Sequence, residues 1–321
     1  MVFLGVFFKS GSAALWPVFI LAIIEITFSF DNAVLNSEVL SRMSRIWRTI
    51  FLTVGIAIAV FGVRLILPLV LVAATTGLGV GHVLDMALHH PDEYAENLHE
   101  GYPVIAAFGG VFLLMIGLRF LAEERETKWL PFIEHGIAKH RRPWLIPIAG
   151  AAVTTIIMAT VLRPGDMRIV IAAGLGALTF LIIKGISTAI ESRQAGGRVS
   201  KHHNWINFLY LEMLDASFSF DGVIAAFAIT KDVVLIAAGL GIGALYVRSI
   251  TVHLLEKGTL NDYRYLIHGA HYAIIILGLI LILSMKVELP EWFTGLIGIT
   301  IIAWAFISSI RHNRSHKLHP A

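Results

Sequence analysis

Nine stretches of predominantly apolar residues, each about 20 long, most constrain the fold of this chain. They fall at about 13–34, 49–74, 104–121, 144–162, 169–190, 205–229, 233–255, 268–286 and 292–310. About 20 residues of helix cross a hydrocarbon slab, and lipid leaves a spanning backbone no hydrogen-bond partner but itself. The chain has 321 residues, 57% of them hydrophobic and 15% charged, more apolar surface than one soluble core of this size can bury. The sequence therefore predicts an all-α polytopic membrane protein with about nine transmembrane helices. Met1 to Phe8 has no basic n-region and no small-residue cleavage site, and reads as a short interfacial segment rather than a signal peptide. There is no cysteine, which excludes disulfides and thiolate metal sites.

The net charge of +3 is distributed as a membrane protein requires, not as nucleic-acid binding does. Arg42, Arg45 and Arg48 follow the first stretch. Arg125, Lys128, Lys139, Arg141 and Arg142 follow the third, and Arg193, Arg198 and Lys201 the fifth. Lys257 and Arg264 follow the seventh, and Arg311, Arg314 and Lys317 the ninth. The other side holds only Lys9, Arg163, Arg168, Lys231 and Lys286. By the positive-inside rule the N-terminus lies outside and the C-terminus in the cytoplasm. The expected location is a bacterial plasma (inner) membrane.

Two of the stretches carry the same acidic segment. Glu25-Ile-Thr-Phe-Ser-Phe-Asp31-Asn32 recurs as Asp215-Ala-Ser-Phe-Ser-Phe-Asp221-Gly222, 190 residues on. Gly55 to Arg64 in the second stretch matches Gly239 to Arg248 in the seventh, 184 residues on. Stretches 1–3 and 6–8 thus read as two copies of one three-helix unit. With the topology above the copies are inverted, the arrangement in which many transporters build a midplane site. The expected division is 1–121 for the first copy, 122–200 for a linker hairpin, 201–286 for the second copy, and 287–321 for an extra helix and basic tail.

A carboxylate at the centre of a membrane helix costs roughly 2.5–3.5 kcal/mol on insertion scales. Four in two matched segments point to a shared polar site. At 100° per residue Glu25, Ser29 and Asn32 form one stripe, and Asp215, Ser219 and Gly222 form its counterpart, with Glu212 one turn earlier. Asp31 and Asp221 sit about 100° around and reach the site only if the helix unwinds or if they face the neighbouring groove. Arg64 and Arg248 are candidate counter-ions, or basic side chains that snorkel along the surface. Five acids against two arginines leave an excess of acid that protons or a divalent ion would neutralise. The donor set is all oxygen, which suits hard cations such as Mg²⁺, Ca²⁺ or Mn²⁺.

These residues resemble the TerC family, integral membrane proteins first named for tellurite resistance and placed near the LysE-type exporters. The resemblance rests on Glu25, Phe-Ser-Phe-Asp31-Asn32-Ala, the Asp215 to Asp221 partner segment and the in-helix arginines, and covers roughly 20–120 and 205–286. It implies a divalent metal-ion exporter, chiefly for manganese, with Glu25, Asp31, Asn32, Glu212, Asp215 and Asp221 as ligands. Ser29, Ser219, Arg64 and Arg248 would support them. This chain departs from the family where Asp221 is followed by Gly222 rather than serine, which removes one oxygen. It resembles a divergent, longer branch.

The expected cargo is Mn²⁺ ahead of Ca²⁺ and Mg²⁺, since Mg²⁺ holds its waters and Ca²⁺ wants six to eight oxygens. No prosthetic group is expected. The expected partners are membrane lipid and the metal ion; homo-oligomerisation stays open. No His-Glu-x-x-His, Gly-x-Ser-x-Gly or Walker loop occurs, so enzymatic activity is not expected. Two other readings stand beside the transporter. One is a chaperone-like membrane partner whose acids lock helices together. The other is an aspartyl intramembrane protease using Asp31 and Asp221. The acidic, histidine-bearing loop 82–100 reads as a solvated loop before a metal vestibule. His268 and His271, one turn apart without an obvious carboxylate, read as interface residues.

Overall fold

The computed structural model describes residues 14–125, 127–138, 144–194, 203–227, 229–258, 262–287, 289 and 291–318. The expected segment Met1 to Phe8 lies outside them. The described chain is helical, with no strand. In order the helices are α1 (Leu15–Phe28), α2 (Phe30–Ser41), α3 (Arg45–Thr76), α4 (Val80–His89), α5 (Pro91–Ala122), α6 (Pro131–Ala138), α7 (Leu145–Leu162), α8 (Met167–Gln194), α9 (His203–Phe227), α10 (Val233–Glu256), α11 (Leu266–Leu283) and α12 (Glu291–Leu318).

Seven of these, α3, α5, α7, α8, α10, α11 and α12, are long and apolar enough to cross a membrane. The bent pair α1 and α2 makes an eighth. The expected count of nine differs by α9, which is as long but carries Glu212, Asp215 and Asp221 and falls outside that set. Large apolar side chains such as Phe61, Val153, Ile156 and Ile171 face outward, as lipid contact requires of a chain whose exterior solvent is hydrocarbon.

Two irregularities have local causes. α1 and α2 meet at Ser29 with a 54° bend. There the Ser29 hydroxyl donates to the Glu25 carboxylate at 3.0 Å, and the Asp31 carboxylate accepts from the Asn32 backbone N–H at 3.0 Å. Asp31 thereby takes one of the donors that a fresh helix start leaves over. In α3 the turns from Ile58 to Ile66 widen to π geometry just before Pro68. Proline has no N–H to offer the carbonyl four residues back, which is Arg64, and its ring crowds that carbonyl.

Packing crosses between the two sequence copies. α1 and α2 lie against α10, while α9 lies against the π stretch of α3. The third helices, α5 and α11, form the most extensive pair. α8 and α7 cover the other flank of α5, and α12 covers α11. Between α5 and α11 the backbones touch at glycines. A methyl group on Gly278 would lie 2.9 Å from the Gly110 carbonyl oxygen, and one on Gly110 would lie 3.0 Å from the Gly278 carbonyl oxygen. Lipid gives apolar helices no reason to associate through burial alone, so close backbone approach at small residues supplies the dispersion that holds them.

Gly278→Val should therefore cost about 1–3 kcal/mol of overpacking. It should lower the thermal unfolding midpoint of the purified protein in detergent. An unchanged midpoint would show that α5 and α11 are not in backbone contact.

Candidate functional site

The polar groups of the two acidic segments meet where α1 and α2 cross α9. The Asn32 amide donates to Asp215 Oδ1 at 2.8 Å. Seven residues earlier on one helix and seven later on the other, a Cβ on Gly222 would lie 3.3 Å from Glu25 Oε2. Contacts that pair 32 with 215 and 25 with 222 require the two helices to run antiparallel. In the sequence repeat Glu25 corresponds to Asp215 and Asn32 to Gly222, so these two contacts are equivalents. One copy carries an amide donor there and the other carries none.

Each copy's acid also meets an arginine. Arg64, at the end of the π stretch, pairs with Glu25 through Nη2 and donates from Nη1 to the Ala59 carbonyl at 2.7 Å. Arg248 on α10 sits 3.9 Å from Asp215 Oδ2 and 3.7 Å from Glu212 Oε1. It donates to the Phe51 and Gly55 carbonyls at 2.5 and 2.9 Å and lies over the Phe51 ring. Both side chains are buried, so they are counter-ions rather than snorkelling surface groups. Gly55 makes room for this: a methyl group there would lie 2.9 Å from Arg248 Nη1 and would collide with the Glu212 carboxylate.

The acceptors outnumber the donors. Asn32 Oδ1, both Glu212 oxygens, Asp215 Oδ2 and Ser219 Oγ are buried without a hydrogen-bond partner among the described residues. Glu212 has Ala22 as its counterpart in the first copy and is thus the unmatched charge. Buried acceptors without donors are costly. Their oxygens suit a proton or a hard cation. Among the described residues, however, no three His, Asp or Glu side chains converge closely enough to hold a metal ion.

The expected residues are therefore divided. Glu25, Ser29, Asn32, Glu212, Asp215, Arg64 and Arg248 come together, with Ser219 one turn along α9. Asp31 is buried but turns away from them toward α12, where a Cβ on Gly298 would lie 3.6 Å from its Oδ2. No ion pair among the described residues reaches it. The Asp221 side chain lies outside the described residues. Asn36, buried with an orphaned Oδ1, is a residue that sequence reasoning missed. It extends the stripe of Glu25, Ser29 and Asn32 by one turn, and that periodicity was the available signal.

The other histidine and acidic groups separate from this site. His89 bonds Asp85 at 2.8 Å on the exposed face of α4, and Asp92 pairs with Lys231. His268 has a carboxylate after all: Glu134 of α6 approaches it at 3.7 Å, and His268 also meets the Thr127 carbonyl at 2.9 Å. Sequence spacing cannot show a partner 134 residues away. His271 stacks on Phe120 with ring centroids 3.6 Å apart.

The family described as "Protein of unknown function (DUF475)" matches residues 30–316, nearly the whole chain. The chain belongs to the DUF475 family. Its match takes in Asp31, Asn32, both arginines and the whole second acidic segment, and begins five residues after Glu25. No curated protein and no solved structure matches this DUF475 chain.

Removing one member of the Arg64–Glu25 pair should leave an uncompensated buried charge. Arg64→Met is expected to destabilise the protein by about 3–5 kcal/mol. The double variant Glu25→Gln/Arg64→Met should recover most of that loss in chemical unfolding. Additive effects of the two changes would show that the pair does not form.

Proposed function

We propose that this DUF475 protein is a divalent metal-ion transporter, a manganese exporter, whose cargo passes the carboxylates at the crossing of the two copies. The observation that carries the reading is the set of buried, donorless oxygens on Asn32, Glu212, Asp215 and Ser219 inside a membrane bundle. A divalent ion satisfies several such acceptors at once, and its attraction to carboxylates scales with its charge. Arg64 and Arg248 would hold the empty acids together, and the competing occupant is the proton, which supports cation–proton exchange. The resemblance to TerC proteins supports manganese and the outward direction. The alternation of basic loops supports a bacterial inner membrane with the N-terminus outside.

In this reading Asn32, Glu212 and Asp215 contribute first contacts, and Asp31 takes the ion on the α12 side. One observation favours a second reading, in which the acids are structural and the protein is a membrane partner. Glu25 and Asp215 already stand against arginines, and no three described carboxylates converge.

Calorimetric titration of the purified protein with Mn²⁺, Ca²⁺ and Mg²⁺ at two pH values separates the two. The transporter reading expects Mn²⁺ to bind most tightly and binding to weaken as protons are added. Asp215→Asn keeps shape and removes charge. It should weaken Mn²⁺ binding about tenfold or more, since tenfold corresponds to about 1.4 kcal/mol, and should abolish uptake into proteoliposomes without loss of fold. No binding by the parent protein, or equal and pH-independent affinities, returns the acids to the structural role.

A further inference from the structure

At one end of the bundle, α5 runs into a loop and the short helix α6, and three guanidinium nitrogens there lack an acceptor among the described residues. Arg119, near the end of α5, and Arg125 both bind the single carboxylate of Glu123, at 3.2 and 2.9 Å. Two cations share the Glu123 carboxylate; Glu38 also acts on Arg125 through space, but its own hydrogen bond goes to Arg42. Arg119 Nε, Arg119 Nη1 and Arg125 Nε are buried without a hydrogen-bond partner among the described residues. The nearby Glu134 does not supply the missing acceptor. Its Oε1 takes the Trp129 and Leu130 N–H groups and the Tyr272 hydroxyl, and its Oε2 faces His268. Beside these groups lies a small, shallow cleft lined by Phe120, Leu121, Glu123, Arg125, Lys128 and Glu134.

The level of this cleft in a bilayer is marked by aromatic rings. Trp129 packs against Tyr272 and Trp304, and the Arg119 guanidinium lies 4.5 Å from the Trp144 ring centre. Tryptophan and tyrosine gather at the height of lipid headgroups. Immediately beyond the cleft, Phe132 on α6 is 95% exposed, with Ile133 beside it also exposed. A bare phenylalanine at headgroup height is placed to enter the acyl layer. We infer that this edge binds the phosphate headgroup of an anionic phospholipid, with Arg119, Arg125 and Lys128 on the phosphate and Phe132 against the chains. Guanidinium forks match phosphate oxygens, and unpaired buried N–H groups are what such an anion satisfies. The inference does not depend on the cation reading of the central site.

Native mass spectrometry of the full chain released from nanodiscs of mixed phosphatidylglycerol and phosphatidylcholine tests it. Wild type should retain phosphatidylglycerol in excess of its share in the disc. Arg119→Gln/Arg125→Gln should reduce that enrichment roughly tenfold, about the loss of one charge-assisted hydrogen bond. Phe132→Ser, at an exposed position with no fold to disturb, should reduce it as well, which keeps the test open if the double variant fails to fold. Retention in proportion to disc composition, or enrichment untouched by Phe132→Ser and removed by millimolar inorganic phosphate, overturns the lipid assignment; the latter result would make this a free-phosphate site.

Discussion

The bundle depends on two guanidinium groups placed where hydrocarbon would otherwise surround bare carboxylates. Arg64 and Arg248 come from the second helix of each sequence copy and reach acids on the first helix, Arg64 to Glu25 and Arg248 to Asp215 and Glu212. Once those charges are buried, the neighbouring geometry is constrained. Gly55 has to stay without a side chain so that Arg248 and Glu212 fit. α3 has to open into π turns ahead of Pro68, which sets Arg64 within reach of the Ala59 carbonyl. A buried ion pair contributes little net stability against apolar residues of the same volume, but breaking one is costly. The arginines tie α3 to α1, and α10 to both α9 and α3.

Much of this was legible in the sequence because the membrane simplifies it. Long apolar runs have one secondary structure open to them, so the helices were legible, but their polar ends were not: α5 begins at Pro91, 13 residues ahead of the expected stretch, and the expected loop 82–100 is helical in α4 and the start of α5. The duplicated acidic segments and arginines named most of the central cluster in advance, since four carboxylates in lipid are too costly to be incidental. What periodicity could not supply was direction across the helix axis. Asp31 was a member of the motif, yet the bend at Ser29 turns it to Gly298 on α12, a residue 267 positions away with nothing in its own sequence to announce it. Glu134 and His268 were hidden for the same reason: they belong to different elements, and only the fold brings them together.

The small residues carry more of the architecture than their chemistry suggests. Gly110 and Gly278 let α5 and α11 touch backbone to backbone, and Gly243 lets α10 close over the Glu25 side chain, where a Cβ would lie 2.6 Å from its Cγ. In water such contacts would be secondary to apolar burial. In lipid they are the principal source of helix association, and they set how near the charged groups can come to one another.

The two copies are not equivalent at their most sensitive positions. Asn32 holds Asp215, whereas Gly222 offers Glu25 nothing; α1 breaks at Ser29, whereas α9 runs unbroken through Ser219. In an inverted pair of identical halves, exchanging the conformations of the halves would yield the same molecule upside down, and the two forms would have the same energy. Here the exchange would move a kink into a helix that lacks the amide and ask the kinked half to straighten. In the proposed transporter the two orientations of the bundle would therefore sit at different depths, and the amide that one copy has and the other lacks would give the molecule a resting side.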